Sequence, residues 1–379
     1  MEQTASASQN LFSDETRRWP PPPLLSVWVV PCPDLDQAMA SFTEAGFDVH
    51  SLGPADNPSY AVMFASHPEL PTTVRLDTDA YRRGRREPFL QVDLQHGPVQ
   101  LASAVDWNPR VLIDCEGGNG DGTVDPVPTE PVFSAAADDT WIVGRAGMRY
   151  RDLLPGRWGG RFIASHIHIP NGGPVPDYVH YHDVEFQLIF CHRGWVRVVY
   201  EDQGEPFVLH PGDAVLQAPG IRHRVLEASD DLYVVEISSP AQHPTYIERR
   251  LVLPNGLSPG RRYGGQNYVH FVHDEARRET VGSIEFRSLG LESATGGRYS
   301  ARILQIPVDA RPLPSGGPGD FSLLVVLDGE LNVELADGGR LVGHGQAVAL
   351  DADSMSAIAV AGHGAPAPTL LVQRLHSPT

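Results

Sequence analysis

His180 and His182 flank Tyr181 at the start of the strand-like run HYHDVEFQLIF (180 to 190), and His223 follows a Pro219-Gly220 turn further on. Residues two apart on a strand face the same side, so the first pair directs two imidazoles one way. A third imidazole from a neighbouring strand completes a set of three neutral nitrogen ligands with open coordination positions. Iron, manganese, nickel, copper or zinc suits such a set. A lone strand histidine is usually a packed core residue; three at these spacings point to one divalent transition metal per chain.

Other polar residues lie close by in sequence. Tyr181, Glu185 and Gln187 share a strand parity opposite to the two histidines. A bulge after His182 is therefore needed to turn Glu185 or Gln187 toward the ion. Gln187 is expected to be an oxygen ligand or a hydrogen-bonding group beside the metal, and Glu185 the alternative ligand. His166 and His168 alternate in RFIASHIHI (161 to 169) and share a face, where they orient substrate or shuttle protons, or else are satisfied core or surface histidines. Arg149, Arg161 and Arg197 are candidates to clamp a substrate carboxylate, with a surface charge as the plainer reading. Cys191 reads as a small core residue.

The run Gly173, His180, His182, Gly194, Gly212, Pro219, Gly220, His223 resembles the two motifs of the cupin family. The family's first-motif glutamate falls on Gln187 here, and the last asparagine of its second motif falls on Glu227. The resemblance implies a double-stranded β-helix, or jelly-roll, barrel. It also implies a likeness in architecture to the gentisate and salicylate dioxygenases, in which three histidines hold Fe(II) and a hydroxy-carboxylate and O2 bind together. The expected activity is a non-haem metal dioxygenase, with Fe(II) the leading ion, acting on a small hydroxylated aromatic or a keto or hydroxy acid. The alternatives are a metal-dependent isomerase, decarboxylase or hydrolase working without O2, and a non-catalytic small-molecule-binding cupin.

Those residues need strands to carry them. From about residue 150 short strand patterns recur with turn signals and almost no helical periodicity, the pattern of a sandwich or barrel. A second set of strand patterns starts near residue 283. Gly329 follows Gly194 by 135 residues and Gly345 follows Gly212 by 133, so the halves repeat. At the matching offsets stand Ser315, Gly317, Ser322 and Ser356, which make no metal site, so the second half is expected to be a degenerate cupin. Before both, SVWVV (26 to 30), a helix capped by Asp34 and ended by Gly46, and three further strand patterns give a β-α-β-β-β order. This order resembles half of a glyoxalase, or vicinal-oxygen-chelate, module. The expected fold is thus mainly β, two cupin barrels after a small α+β module. Its parts are a flexible tail 1–23, the half-module 24–110, a linker 111–148, the metal-binding cupin 149–250, a connection 251–282 and the degenerate cupin 283–379. NGDGTVD (119 to 125) faintly resembles a calcium loop but has Gly117 and Pro128 where carboxylates are needed.

Composition narrows the function classes. The 379 residues include 29 basic and 47 acidic ones, a net charge of -18, and every basic residue is arginine. Without lysine there is no Schiff-base or pyridoxal-phosphate chemistry. The acidic balance argues against a nucleic-acid partner. Three separated cysteines give neither a disulfide framework nor a zinc spacing. No signal peptide or apolar span of about 18 residues is evident. A cytoplasmic protein is expected, binding a small molecule and O2 but no membrane. It is also expected to form a homo-oligomer, most simply a dimer, through an uncovered edge of the half-module.

Overall fold

In a computed structural model of the chain, the residues described are 26–53, 58–65, 72–86, 88–92, 113–114, 126–135, 141–144, 147–309, 311–312, 319–335, 338–351 and 359–375. The tail 1–23, the sequence NGDGTVD, and Ser315, Gly317 and Ser356 lie outside them. The described fold is mainly β. No helix among these residues is long and apolar enough to cross a membrane.

The N-terminal module has the expected order: strand Ser26–Pro31, helix Leu35–Glu44, then strands Asp48–Gly53, Tyr60–Ala65 and Thr72–Asp77. The Asp34 side chain caps the helix by accepting the Gln37 N–H at 2.9 Å. Met39 and Phe42 pack on the sheet beside Leu52, Met63 and Leu76. The module's free edge is not left for a partner. Strand Asp48–Gly53 pairs antiparallel with Thr245–Ile247 of the first barrel, Leu52 opposite Thr245 and Ser51 opposite Tyr246. The expectation of an uncovered edge is corrected here: a second strand on the same chain had supplied the missing hydrogen-bond partners, and nothing local in the sequence marks that pairing.

The first barrel is a sandwich of two sheets. One carries Phe207–Leu209, Val196–Tyr200, His223–Ala228, His180–His182 and Thr245–Ile247, and runs on into the module. The other carries Ala214–Leu216, Phe186–Arg193, Leu232–Ser239, Ile163–Ile169 and Arg149–Asp152. Val196, Val198, Leu209, Leu232 and Val234 fill the space between them. The strand expected over 180–190 is broken at Asp183–Glu185, so its two pieces belong to different sheets. The break resets the parity. Phe186, Leu188 and Phe190 now point outward, and Gln187, Ile189 and Cys191 point inward.

A second sandwich is built from Ile284–Ser288, Tyr299–Ile306, Ala367–Leu375, Gly319–Val326 and Ala347–Leu350, faced by Glu330–Leu335, Gly338–Gly343 and Ala359–Gly362. The halves exchange strands: Val132–Phe133 pairs with Ala347–Leu350 of the second, and Val269–Phe271 with Ala214–Leu216 of the first. The outer faces of the two large sheets meet in a continuous core. There Phe162 stacks on Phe321 with ring centroids 3.9 Å apart and Phe186 stacks on Tyr299 at 4.1 Å.

Candidate metal centre

His180, His182 and His223 come together as the sequence spacing requires. His180 lies directly opposite His223 in the ladder between their strands. One nitrogen from each ring falls in a group whose members lie within 4.8 Å of one another, and it is the one such group of His, Cys, Asp or Glu among the described residues. All three rings are buried.

Each ring is held through Nδ1. His180 donates to the Tyr178 carbonyl at 2.8 Å, and His223 donates to the Ile221 carbonyl at 3.0 Å. His182 Nδ1 meets Thr245 Oγ1 at 2.9 Å. At His180 and His223 the carbonyl on Nδ1 fixes the proton there, the neutral tautomer in which Nε2 can bind an ion. A buried carboxylate stands behind the set: Asp177 Oδ1 is 3.7 Å from His180 Nδ1, while Oδ2 accepts the Val225 N–H at 3.0 Å. The donor set fits a divalent transition metal. Asp177 and Thr245 escaped the sequence reading because a lone Asp or Thr in a strand region carries no signal of its own. Asp177 does lie three residues before His180.

His182 and His223 border a cavity of about 70 Å³. At roughly 10–15 Å³ per water on the same measure, it has room for a small molecule. Ile167, Ile189, Val198, Val225 and Val234 supply apolar wall, and Tyr150, His182, Tyr200, Gln217, His223 and Glu236 supply polar groups. Tyr200 O–H donates to Gln217 Oε1 at 2.6 Å. Burial, and secondarily the Glu236 carboxylate, pushes the Tyr200 phenol far above its usual range, so it keeps its proton.

The other residues singled out from sequence are placed as follows. Gln187 is buried, and its Nε2 donates to Glu236 Oε1 at 2.5 Å, so its amide engages a carboxylate. Glu185 is exposed in the break between strands and does not belong to the histidine group, which corrects its expected ligand role. His166 and His168 face away from the metal cavity, because Ile167 and Ile169 occupy the inward positions of their strand. Their expected substrate role is corrected accordingly. His166 sits in a separate cleft between Arg151 Nη2 and His192 Nδ1, each 3.0 Å away, and His168 Nε2 meets Asp231 at 2.9 Å. Arg149 and Arg197 are exposed, and neither they nor Arg161 borders the cavity. Cys191 is buried, which with the nearby Asp213 pushes its thiol up to about 12, and it is inert packing.

The family model of the cupin domain matches residues 165–238, a stretch that contains all three histidines, Gln187 and Glu236. That match lies within the first barrel. No curated protein matches the chain. Among solved structures it is similar to Lactobacillus farciminis oxalate decarboxylase in a formate complex, at 14% identity and a TM-score of 0.46, covering 67% of this chain and 87% of that one. It is also similar to the protein Ylba from E. coli, at 12% identity and 0.44, covering 69% and 98%. A third is Bacillus subtilis oxalate decarboxylase, studied for its Mn(II) centres, at 11% identity and 0.47, covering 67% and 80%. In the second half, Ser322 stands at the position of Gln187 and accepts from Gln373 Nε2 at 3.1 Å, a polar contact with no ligating histidine beside it.

Proposed function

We propose that this cupin is a metal-dependent enzyme, a non-haem dioxygenase that binds a small hydroxylated or keto compound and O2 at the three-histidine centre. The observation that carries the reading is the pairing of a three-nitrogen donor set, all Nδ1 atoms engaged, with a small and largely aliphatic cavity. His180, His182 and His223 would hold the ion. When bound, a redox-active divalent metal supplies electron transfer between substrate and O2. The chain's own residues do the rest. Tyr178, Ile221 and Thr245 keep the rings aimed, and the aliphatic walls exclude water, which strengthens every polar contact inside. Tyr200 retains its proton and fixes Gln217.

No arginine occurs among the described residues that border the cavity. A substrate carboxylate in the cavity would meet no guanidinium, and a bound metal would supply the cationic anchor. The test is metal analysis of anaerobically purified protein, followed by oxygen uptake with hydroxylated aromatics and keto or hydroxy acids. Uptake that tracks the bound metal supports the dioxygenase. Turnover that releases CO2, or isomerises substrate, without consuming oxygen assigns the centre to the O2-independent alternative.

A further inference from the structure

Gln217 lies two residues past Val215, an inward residue of strand Ala214–Leu216, and its backbone N–H extends the ladder by donating to the Gln187 carbonyl at 2.9 Å. The period of two therefore turns its side chain inward, and it lines the metal cavity with His182 and His223. The residue is only 3% exposed, so its amide can reach protein groups or the cavity and little else. Six residues further on, the same segment delivers His223.

Tyr200 fixes that amide. It lies directly opposite His223 in the ladder between their strands, and the two rings stack with centroids 5.5 Å apart. From this place the phenol O–H donates to Gln217 Oε1 at 2.6 Å, a good O–H···O length. With the carbonyl end of the amide taken, the other end is Nε2, which carries two N–H donors. Among the described residues, no protein group accepts from Nε2. A buried donor is costly to leave without an acceptor, and a molecule in the cavity is placed to supply one.

The cavity narrows what that acceptor is. The Glu236 carboxylate shares its wall, and no arginine among the described residues borders it. An anionic group held away from the ion would meet like charge there, whereas a carbonyl oxygen matches a neutral amide donor. We propose that Gln217 is a substrate-binding residue whose Nε2 donates to a carbonyl oxygen distinct from the oxygens at the ion, with Tyr200 as its positioning residue. The substrate class is then a small keto compound with chelating oxygens at one end and a further carbonyl along its chain. The proposal rests on the reading of the centre as one that binds a small oxygen-chelating compound. An analogue with a methylene in place of that carbonyl leaves the amide without its partner and binds more weakly.

The experiment titrates the full chain, loaded with Zn(II) to keep oxygen chemistry out, with 2,4-dioxopentanoate and 2-oxopentanoate in a calorimeter. Each acid offers a carboxylate and a 2-keto oxygen to the ion, and they differ by a carbonyl or a methylene at C4. Their intrinsic difference in chelation is the same for every variant and cancels when preferences are compared. Gln217→Met, similar in length but without a donor, is expected to lose about 10-fold of the wild-type preference for the dioxo acid. Tyr200→Phe, which frees the amide to turn, is expected to lose part of it; a change in packing alone would weaken both acids alike. An unchanged preference in either variant overturns the proposal while leaving the chelating reading intact. Failure of the zinc-loaded wild type to bind either acid at millimolar concentration overturns both the proposal and the reading beneath it.

Discussion

His182 has the least rigid support of the three ring systems, since a threonine hydroxyl takes the place that backbone carbonyls fill at His180 and His223. Thr245→Val is expected to lower metal affinity by about 10–100-fold, the usual effect of losing a partner behind a ligand. His182→Ala is expected to remove nearly all bound metal. Competition with a chromophoric chelator measures the first and elemental analysis the second; two equivalents of metal, one surviving His182→Ala, would refute a single centre. Gln187→Ala should keep its metal and lose about 10–100-fold in turnover.

His166 gives a residue-scale effect on stability rather than on the reaction. Burial first, then His192, Arg151, His344 and His168, hold its pKa well below the ordinary value, and burial lowers His192 as well. The unfolded chain binds these protons near pH 6.5 and the folded chain only at lower pH. Stability is therefore full above about pH 6.5 and declines as pH falls toward the folded values. Urea unfolding of metal-free protein should give a lower free energy at pH 5.5 than at 7.5, and His166→Gln should flatten that slope.

At the scale of elements, the break at Asp183–Glu185 is what converts one expected strand into two with opposite facing. It lets Phe186 leave the barrel interior for the core between the halves, stacked on Tyr299. Phe186→Ala is expected to destabilise the fold by about 3–5 kcal/mol, the cost of a large buried aromatic. Chemical unfolding that changes by under about 1 kcal/mol would mean the two sheets do not depend on that contact. Element existence was legible: the βαβββ order, the Asp34 cap and the repeated barrel strands all carry local signals of period, turn and cap. The break was not, since Asp183-Val184-Glu185 continues the strand pattern without a glycine or proline.

For the whole molecule, the sheet that begins in the first barrel runs through Thr245–Ile247 into the N-terminal module. The same Thr245 that supports His182 therefore sits on the strand the module covers. A chain lacking residues 1–110 is expected to bind metal more weakly, because Thr245–Ile247 becomes a sheet edge and its side chains lose their fixed register. Metal affinity measured beside light scattering separates this effect from self-association. The homodimer expected from sequence stands as a proposal, and the Asp48–Gly53 edge, paired inside the chain, does not serve it. Removing residues 1–110 should leave the oligomeric state unchanged.

That His180, His182 and His223 converge was legible in the sequence alone, because the strand period and the Pro219-Gly220 turn are local properties that need no partner to be read. The same holds for the mainly β fold and the repeat of its halves. Which face each strand presents was decided only by the tertiary structure. His166 and His168 share a face, as read, but that face looks to the second half, since a period of two says which residues go together and not where they go. Glu236, Asp177 and Thr245 were likewise invisible. Glu236 and Thr245 meet Gln187 and His182 from strands 49 and 63 residues away in the chain, and Asp177 meets His180 three residues on. Only the closed barrel sets such distances, by pairing strands whose order in space differs from their order in sequence.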